Sequence, residues 1–160
     1  MGVSGCGKST VGALLARELG VAFMDGDDLH PRANIEKMAS GVPLDDDDRW
    51  PWLDLVGGWL AGRDGGGVIA CSALKRSYRD RIRAAAPDAV FVHLHGTRAL
   101  MEARVVGRAV AQPGHFMPSS LLESQFATLE PLAGDEAGRV FDVAEPAAEI
   151  AAAAAAWLRG

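Results

Sequence analysis

The first residues of the chain form a phosphate-binding motif. Residues 2–9, GVSGCGKS, match the pattern G-x-x-x-x-G-K-[ST] at every defined position. Glycines let the backbone wrap around a phosphate with its N–H groups pointing inward, and a helix that begins there adds a favourable partial charge. In this motif Lys8 reaches the β- and γ-phosphates, and the Ser9 hydroxyl holds Mg²⁺. The motif predicts binding of ATP with Mg²⁺ by Gly2, Val3, Ser4, Gly5, Cys6, Gly7, Lys8, Ser9 and Thr10.

The alternative for this motif is a chance match, because 19 residues of the chain are glycine. The residues that follow argue against chance. Within residues 9–19 the apolar side chains of Val11, Leu14 and Leu15 recur at helical spacing, and Gly20 is a typical helix end. The motif requires a helix at this place, so we interpret it as functional.

Carboxylates follow an apolar run at residues 21–24, which predicts a short buried strand. Asp25 and Asp27 stand at the carboxyl end of that strand, where ligands bind in open α/β sheets. Phosphoryl transfer needs a group that orients the attacking hydroxyl and others that organise Mg²⁺. We predict that Asp27 orients the hydroxyl and accepts its proton, and that Asp25 helps to hold the metal. The alternative is an ordinary polar turn.

Apolar runs alternate with helical patterns along the rest of the chain. This order predicts one α/β domain over residues 1–160, a three-layer fold of the P-loop NTPase type with a parallel sheet flanked by helices. A lid segment is expected at about 104–119, where glycine and proline interrupt the pattern. Strands are predicted at 21–24, 68–71, 90–94 and 139–143, and helices at 9–19, 30–39, 45–60, 75–86, 97–108, 120–130 and 147–159.

The helix predicted at 45–60 has an apolar face. Trp52, Leu55, Val56, Trp59 and Leu60 follow the spacing i, i+3, i+4, i+7, i+8. We interpret the tryptophans as core or interface residues.

A strand normally precedes a phosphate-binding loop of this type. Here only Met1 stands before the loop, so the first strand is expected to be missing from this chain. We favour a true start that lies upstream or a truncation; the alternative is that the protein has lost the central strand of its sheet. A sheet without that strand would expose two new edges at its middle and lose stability.

Composition excludes several classes of function. The net charge of −5 argues against bulk attraction to nucleic acid. The longest apolar runs fall short of the roughly 20 residues of a bilayer helix, and the start does not resemble a secretory signal. We therefore expect a cytoplasmic protein, with reduced thiols at Cys6 and Cys71.

The motifs together resemble the bacterial gluconokinase family. The resemblance rests on residues 2–9, on DGDDLHPRANIEKMASGVPLDDDDRWPWL at 25–53, on CSALKRSYRD at 71–80, on GHFMPSSLLESQFATLEPL at 114–132 and on FDV at 141–143. It covers essentially the whole chain. It implies a fold related to those of shikimate and nucleoside monophosphate kinases, transfer of the ATP γ-phosphate to the 6-hydroxyl of D-gluconate, and a homodimer.

An acidic, polyhydroxylated acceptor fits the residue types of the matching segments. Lys75, Arg79 and Arg49 can supply cations for a carboxylate, and arginine suits bidentate binding. His30 and Asp27 can supply polar groups for hydroxyls. Without the resemblance, Lys75 and Arg79 would be interpreted as a solvated helix face.

Arg104 and Arg108 lie one helical turn apart before the lid. In related kinases such arginines close onto the phosphates and stabilise the transferred charge; the alternative is a pair of surface arginines. The spacer at 109–113 is longer than the resemblance predicts and lacks the basic residue often found there. Both differences affect how far the lid can reach over the phosphates, more than they affect the reaction itself.

Two other functions stay open at this point. One is a kinase for another small acceptor, such as shikimate or adenylylsulfate. The other is a nucleotide-binding protein without catalysis, inactive through degeneration or through the absent strand.

Overall fold

The computed structural model describes the backbone of residues 1–111 and 119–160, and the side chains of residues 1–107 and 121–160. The strands are β1 (Ala22–Asp25), β2 (Gly67–Ala70), β3 (Phe91–His95) and β4 (Gly138–Asp142). The helices are α1 (Lys8–Leu19), α2 (Arg32–Ala39), α3 (Asp46–Ala61), α4 (Arg76–Ala85), α5 (Arg98–Ala111), α6 (Ser119–Thr128) and α7 (Ala147–Arg159), with a 3-10 turn at Gly26–Leu29.

The described strands form two parallel pairs. β1 pairs with β2 in the register Ala22↔Gly67 to Asp25↔Ala70. β3 pairs with β4 in the register Phe91↔Gly138 to His95↔Asp142. The parallel α/β architecture is thereby confirmed, and every predicted strand lies within one residue of its observed bounds.

The two pairs are joined through the first two residues of the chain. The α-amino group of Met1 donates to the Val92 carbonyl at 2.6 Å, and the Leu94 amide donates to the Met1 carbonyl at 2.9 Å. On the other side, the Gly2 amide donates to the Ser72 carbonyl at 3.1 Å. The carboxyl ends of β2 and β3 are therefore held at one edge, next to the loop that follows Gly2.

The core lies on both faces of these strands. On one face α1 and α7 pack together around Val11, Leu15 and Ala154. On the other face α3 packs against α4 around Trp52 and Ile82. Both faces of the paired strands are thus covered by helices, as the alternation of elements predicts.

The apolar face predicted for α3 is partly wrong. Leu55 is 51% exposed, whereas Leu53, which the periodicity left out, is fully buried. The helix carries apolar side chains on nearly every side, so the spacing alone did not identify the face that packs on α4.

The predicted lid begins within a helix. α5 extends to Ala111, three residues beyond the predicted helix end at 108, and α6 begins at Ser119. The rest of the predicted lid, residues 112–118, lies outside the described residues. Within the described parts of the chain, none of the helices has the length and apolar character needed to span a bilayer.

Candidate active site

The phosphate-binding loop has the conformation that its glycines predict. Gly2 has φ 139, in a region that side-chain-bearing residues rarely adopt. A Cβ at Gly2 would lie 2.5 Å from the Leu94 carbonyl oxygen, so the close approach of loop and strand also requires glycine. α1 begins at Lys8 directly after the loop, and the Lys8 ammonium donates to the Val3 carbonyl at 3.1 Å. The Lys8 ammonium and the N-terminus of α1 therefore both lie at the loop, an arrangement suited to binding an anion.

The Ser9 hydroxyl and the Asp25 carboxylate lie side by side. Ser9 Oγ donates to Asp25 Oδ2 at 2.5 Å, and Asp25 Oδ1 accepts the backbone N–H of Asp27 at 3.1 Å. One hydroxyl and one carboxylate beside a phosphate loop fit Mg²⁺, which prefers oxygen ligands and takes few of them from protein. The structure thus brings together the two residues predicted to hold the metal.

Gly26 lets the turn between Asp25 and Asp27 lie tightly against β2. A Cβ at Gly26 would lie 2.4 Å from the Ala70 carbonyl oxygen, and no side chain fits there. The turn is fixed further because Trp52 Nε1 donates to the Gly26 carbonyl at 2.7 Å in the interior. The Asp27 side chain remains 76% exposed.

His30 is buried beside this turn. Its ring stacks on Trp52 with centroids 4.1 Å apart and planes inclined by 18°. Burial, and secondly the charge of Arg49, lowers the pKa of His30 from 6.5 to about 4. His30 is therefore a neutral imidazole at pH 7.

The hydrogen bonds of Asn34 indicate which nitrogen of His30 carries the proton. Asn34 Nδ2 donates to the Asp48 carbonyl at 2.8 Å and lies 3.4 Å from His30 Nδ1. With Nδ1 as the acceptor, the proton is on Nε2, which faces Asp27 Oδ1 at 4.0 Å. His30 can therefore offer one N–H to a ligand oxygen beside Asp27.

A second group of polar residues lines a cleft of about 470 Å³ that includes Arg49 and Lys75. Lys75 Nζ donates to both oxygens of Asp46 at 2.8 and 3.0 Å. Tyr78 donates to Asp46 and accepts from Arg49 Nη1 at 3.2 Å. The bond from Lys75 lowers the pKa of Asp46, and Asp46 raises the pKa of Lys75, so both are charged at pH 7.

Arg79, predicted to bind the acceptor, is placed elsewhere. Its side chain is 1% exposed and paired with buried Glu136 at 2.5 and 2.8 Å. Its remaining donors reach the carbonyls of Ala73, Leu74 and Glu130. The structure does not bring Arg79 to the site. Instead, the hydrogen bonds of Arg79 connect the segment after β2 with the segment after α6.

The chain is similar to known proteins in sequence and in fold. The family model described as Shikimate kinase matches residues 4–154. The gluconokinase of Gluconobacter oxydans is 50% identical over 85% of this chain and 76% of its own length. The thermoresistant gluconokinase of Escherichia coli is 45% identical over 91% of this chain and 83% of its own. The chain belongs to the gluconokinase family. A crystal structure of a gluconokinase from Sinorhizobium meliloti, 51% identical, superimposes with a TM-score of 0.89 over 99% of this chain and 89% of that one.

In this member of the gluconokinase family, α5 and α6 lie over the phosphate loop. Arg104 Nη2 donates to the Val143 carbonyl at 2.7 Å, and a Cβ at Gly5 would lie 3.7 Å from Arg104 Cβ. Arg104 is thus adjacent to the loop. The side chain of Arg108 lies outside the described residues.

Several residues of this gluconokinase-family site were missed from the sequence. Gln125 Oε1 accepts the Ser4 amide of the phosphate loop at 2.6 Å. Trp52 orders the Asp25–Asp27 turn, and Asp46 holds Lys75. For Trp52 and Gln125 the sequence carries no signal, since their partners lie 26 and 121 residues away. Asp46 belongs to the acidic run at residues 45–48, and such a run by itself predicts only the start of a helix.

Replacing Trp52 by Phe is expected to weaken the acceptor site. The phenylalanine would keep an aromatic ring against His30 but leave the buried Gly26 carbonyl without its donor, a loss of about 1–3 kcal/mol of stability. We expect a lower Tm and a higher KM for the acceptor, with a smaller change in KM for ATP. Thermal denaturation and steady-state kinetics measure both.

The matched control is Trp59→Phe on the same helix. Trp59 Nε1 is buried and has no hydrogen-bond partner among the described residues, so its removal leaves no acceptor unsatisfied. If Trp52→Phe lowered Tm and raised KM for the acceptor no more than Trp59→Phe does, the hydrogen bond from Trp52 to Gly26 would not order the turn.

Proposed function

We propose that this protein transfers the γ-phosphate of ATP to the 6-hydroxyl of D-gluconate, yielding 6-phospho-D-gluconate and ADP. The proposal is supported by the contacts from the phosphate loop through the Ser9–Asp25 pair to the Asp27–His30 pair. Arg49, whose charge lowers the pKa of His30, also lines the cleft that includes Lys75. The similarity to gluconokinases over most of the chain supports the choice of acceptor.

The nucleotide end of the site comprises the loop residues 2–7 with Lys8, Ser9 and Thr10. The backbone N–H groups and the Lys8 ammonium bind the phosphates, and Ser9 and Asp25 hold Mg²⁺. When bound, Mg²⁺ neutralises charge on the β- and γ-phosphate oxygens. Lys8 must exchange the Val3 carbonyl for a phosphate oxygen, which strengthens its interaction because the new partner is charged.

Asp27 is proposed to orient the acceptor hydroxyl and to take its proton. The hydroxyl oxygen bonds to the γ-phosphorus as the bond from that phosphorus to the β–γ bridging oxygen breaks. Arg104 and Arg108 are proposed to close over the transferring group, where fixed positive charge stabilises it and water is excluded. To take this role, the Arg104 guanidinium must break its hydrogen bond to the Val143 carbonyl.

The acceptor end comprises His30, Arg49 and Lys75. Neutral His30 offers Nε2–H to a hydroxyl beside Asp27. Arg49 and Lys75 supply positive charge for the carboxylate, which would share Lys75 with Asp46. Arg79 is left out of this proposal because its donors are committed to Glu136 and to backbone carbonyls. A cytoplasmic location and a homodimer are included on the resemblance to the family.

The test is coupled ADP release with Mg-ATP and D-gluconate, compared with shikimate, adenylylsulfate, glucose and no acceptor. We expect release with gluconate alone and its loss when EDTA removes the metal. Shikimate is the informative competitor, since the Shikimate kinase model matches most of the chain. Release with shikimate or adenylylsulfate instead would overturn the acceptor, and ATP binding without release would favour a non-catalytic protein.

A further inference from the structure

Four side chains at the cleft of Arg49 and Lys75, the acceptor cleft, form one connected network. Asp46 is the first residue of α3, and Lys75 directly precedes α4. The Asp46 carboxylate accepts two hydrogen bonds from the Lys75 ammonium, at 2.8 and 3.0 Å, and another from the Tyr78 hydroxyl. The Tyr78 hydroxyl in turn accepts from Arg49 Nη1 at 3.2 Å. The two cations of the cleft are therefore connected through one carboxylate and one hydroxyl.

The ring of Tyr78 lies near both cations. Its centroid is 5.3 Å from Lys75 Nζ and 5.4 Å from Arg49 Cζ, within the range of cation–π contacts. Tyr78 itself is buried, and Trp50 packs edge-on against its ring with centroids 5.6 Å apart. The packing therefore fixes Tyr78, and Tyr78 offers both its hydroxyl and its ring to the two cations.

The network leaves N–H donors of both cations for a ligand. A lysine ammonium has three donors, and Lys75 uses two of them on Asp46. A guanidinium has five, and Arg49 uses one of them on Tyr78. Asp46 balances one of the two positive charges, so a single positive charge remains. The remaining donors and charge suit one carboxylate better than they suit a neutral group.

We propose that Asp46 and Tyr78 determine the specificity of the acceptor site for a carboxylate, because they hold Lys75 and Arg49 where that carboxylate binds. This role rests on the proposed function, in which the two cations bind the carboxylate of D-gluconate. Lysine and arginine lose much rotamer freedom when they bind a ligand. Holding both side chains in place beforehand lowers that cost, and only an acceptor with a carboxylate gains from it.

The positioning role of Asp46 and the effect of its charge predict opposite results. As a negative charge alone, Asp46 repels an anionic acceptor, so Asp46→Asn would strengthen the binding of gluconate. As a positioning residue, Asp46 holds the Lys75 ammonium by charge-assisted hydrogen bonds, and a neutral Asn holds it less firmly. The same variant then weakens the binding of gluconate.

The test compares D-gluconate with D-glucitol, in which a hydroxymethyl group replaces the carboxylate. KM and kcat are measured for the wild type, Asp46→Asn, Tyr78→Phe, Lys75→Met and the double variant Asp46→Asn with Lys75→Met. If glucitol is not phosphorylated, its inhibition constant against gluconate takes the place of its KM. Tyr78→Phe keeps the buried ring, and the Asp46 and Lys75 side chains are 43% and 32% exposed, so each variant should fold, which Tm verifies.

We expect Asp46→Asn and Tyr78→Phe each to raise KM for gluconate by about 10-fold. The value of kcat and the constant for glucitol should stay close to those of the wild type, so the preference for gluconate falls. In the Lys75→Met background, Asp46→Asn should raise KM much less, because the ammonium that Asp46 positions is absent. The matched control is Asp47→Asn, which removes an equal charge from the same cleft and should not raise KM for gluconate.

Three results would overturn this role of Asp46 and Tyr78. Equal losses for gluconate and glucitol would indicate a general structural effect. A lower KM for gluconate in Asp46→Asn would show that only the charge matters, and an undiminished effect of Asp46→Asn without Lys75 would show that Asp46 does not act through it. Absence of gluconate turnover in the wild type is a distinct outcome, which would overturn the proposed function and this role together.

Discussion

Replacing Asp27 by Asn is expected to lower kcat for D-gluconate by about 10²–10⁴-fold. Asn keeps the shape of the side chain but cannot take the hydroxyl proton. The backbone of the Asp25–Asp27 turn is bound by two side chains, because the Asp27 N–H donates to Asp25 Oδ1 and Trp52 Nε1 donates to the Gly26 carbonyl. Neither bond involves the Asp27 side chain, so both should persist in the variant. We expect KM for ATP to change little, since the phosphate contacts belong to the loop and Lys8.

The matched control is Asp28→Asn, which removes an equal charge from the adjacent exposed position. Steady-state kinetics and Tm are measured for both variants. A kcat for Asp27→Asn close to that of Asp28→Asn would show that Asp27 is not the base. A large loss in both would indicate an effect of the local negative charge.

Replacing Arg79 by Met is expected to destabilise the protein by about 3–5 kcal/mol, because it leaves the buried carboxylate of Glu136 without its partner. The backbone carbonyls of Ala73 and Leu74 also lose their donor. Arg79 holds the pKa of Glu136 below its ordinary value of 4.5. The pair therefore contributes its stability above about pH 4.5 and loses it as the pH falls through the folded-state pKa, so the difference between wild type and variant should shrink in acid.

The control is Arg81→Met, on the same helix and two residues away. Arg81 pairs with Asp54 at 2.5 Å, but both side chains are about half exposed, and such pairs contribute about 0–1 kcal/mol. Denaturant unfolding compares the two variants. If Arg79→Met instead left stability unchanged and raised KM for gluconate, Arg79 would contact the acceptor, as the sequence suggested.

Arg79 also illustrates the limit of inference from sequence. Arg79 lies with Tyr78 and Ile82 on the buried side of α4, and the helical spacing of these three residues can be read from the sequence. Its partner Glu136 lies 57 residues further along the chain, and nothing local connects them. The resemblance favoured a ligand for Arg79 because arginine so often binds carboxylates, and here the carboxylate belongs to the protein itself.

The amino-acid sequence by itself determined the features that depend on short-range chemistry. The glycine-rich loop, the helix that begins at Lys8, the adjacency of Asp25 to Asp27 and the bounds of the strands all follow from spacing, turn residues and apolar periodicity, which act over a few residues. It also indicated that a strand should precede the loop. Only the tertiary structure decided which distant groups meet: Trp52 with Gly26 and His30, Gln125 with the loop, and Arg79 with Glu136. Such contacts depend on how helices pack across the sheet, and packing is set by the shape and burial of many side chains at once rather than by any local pattern.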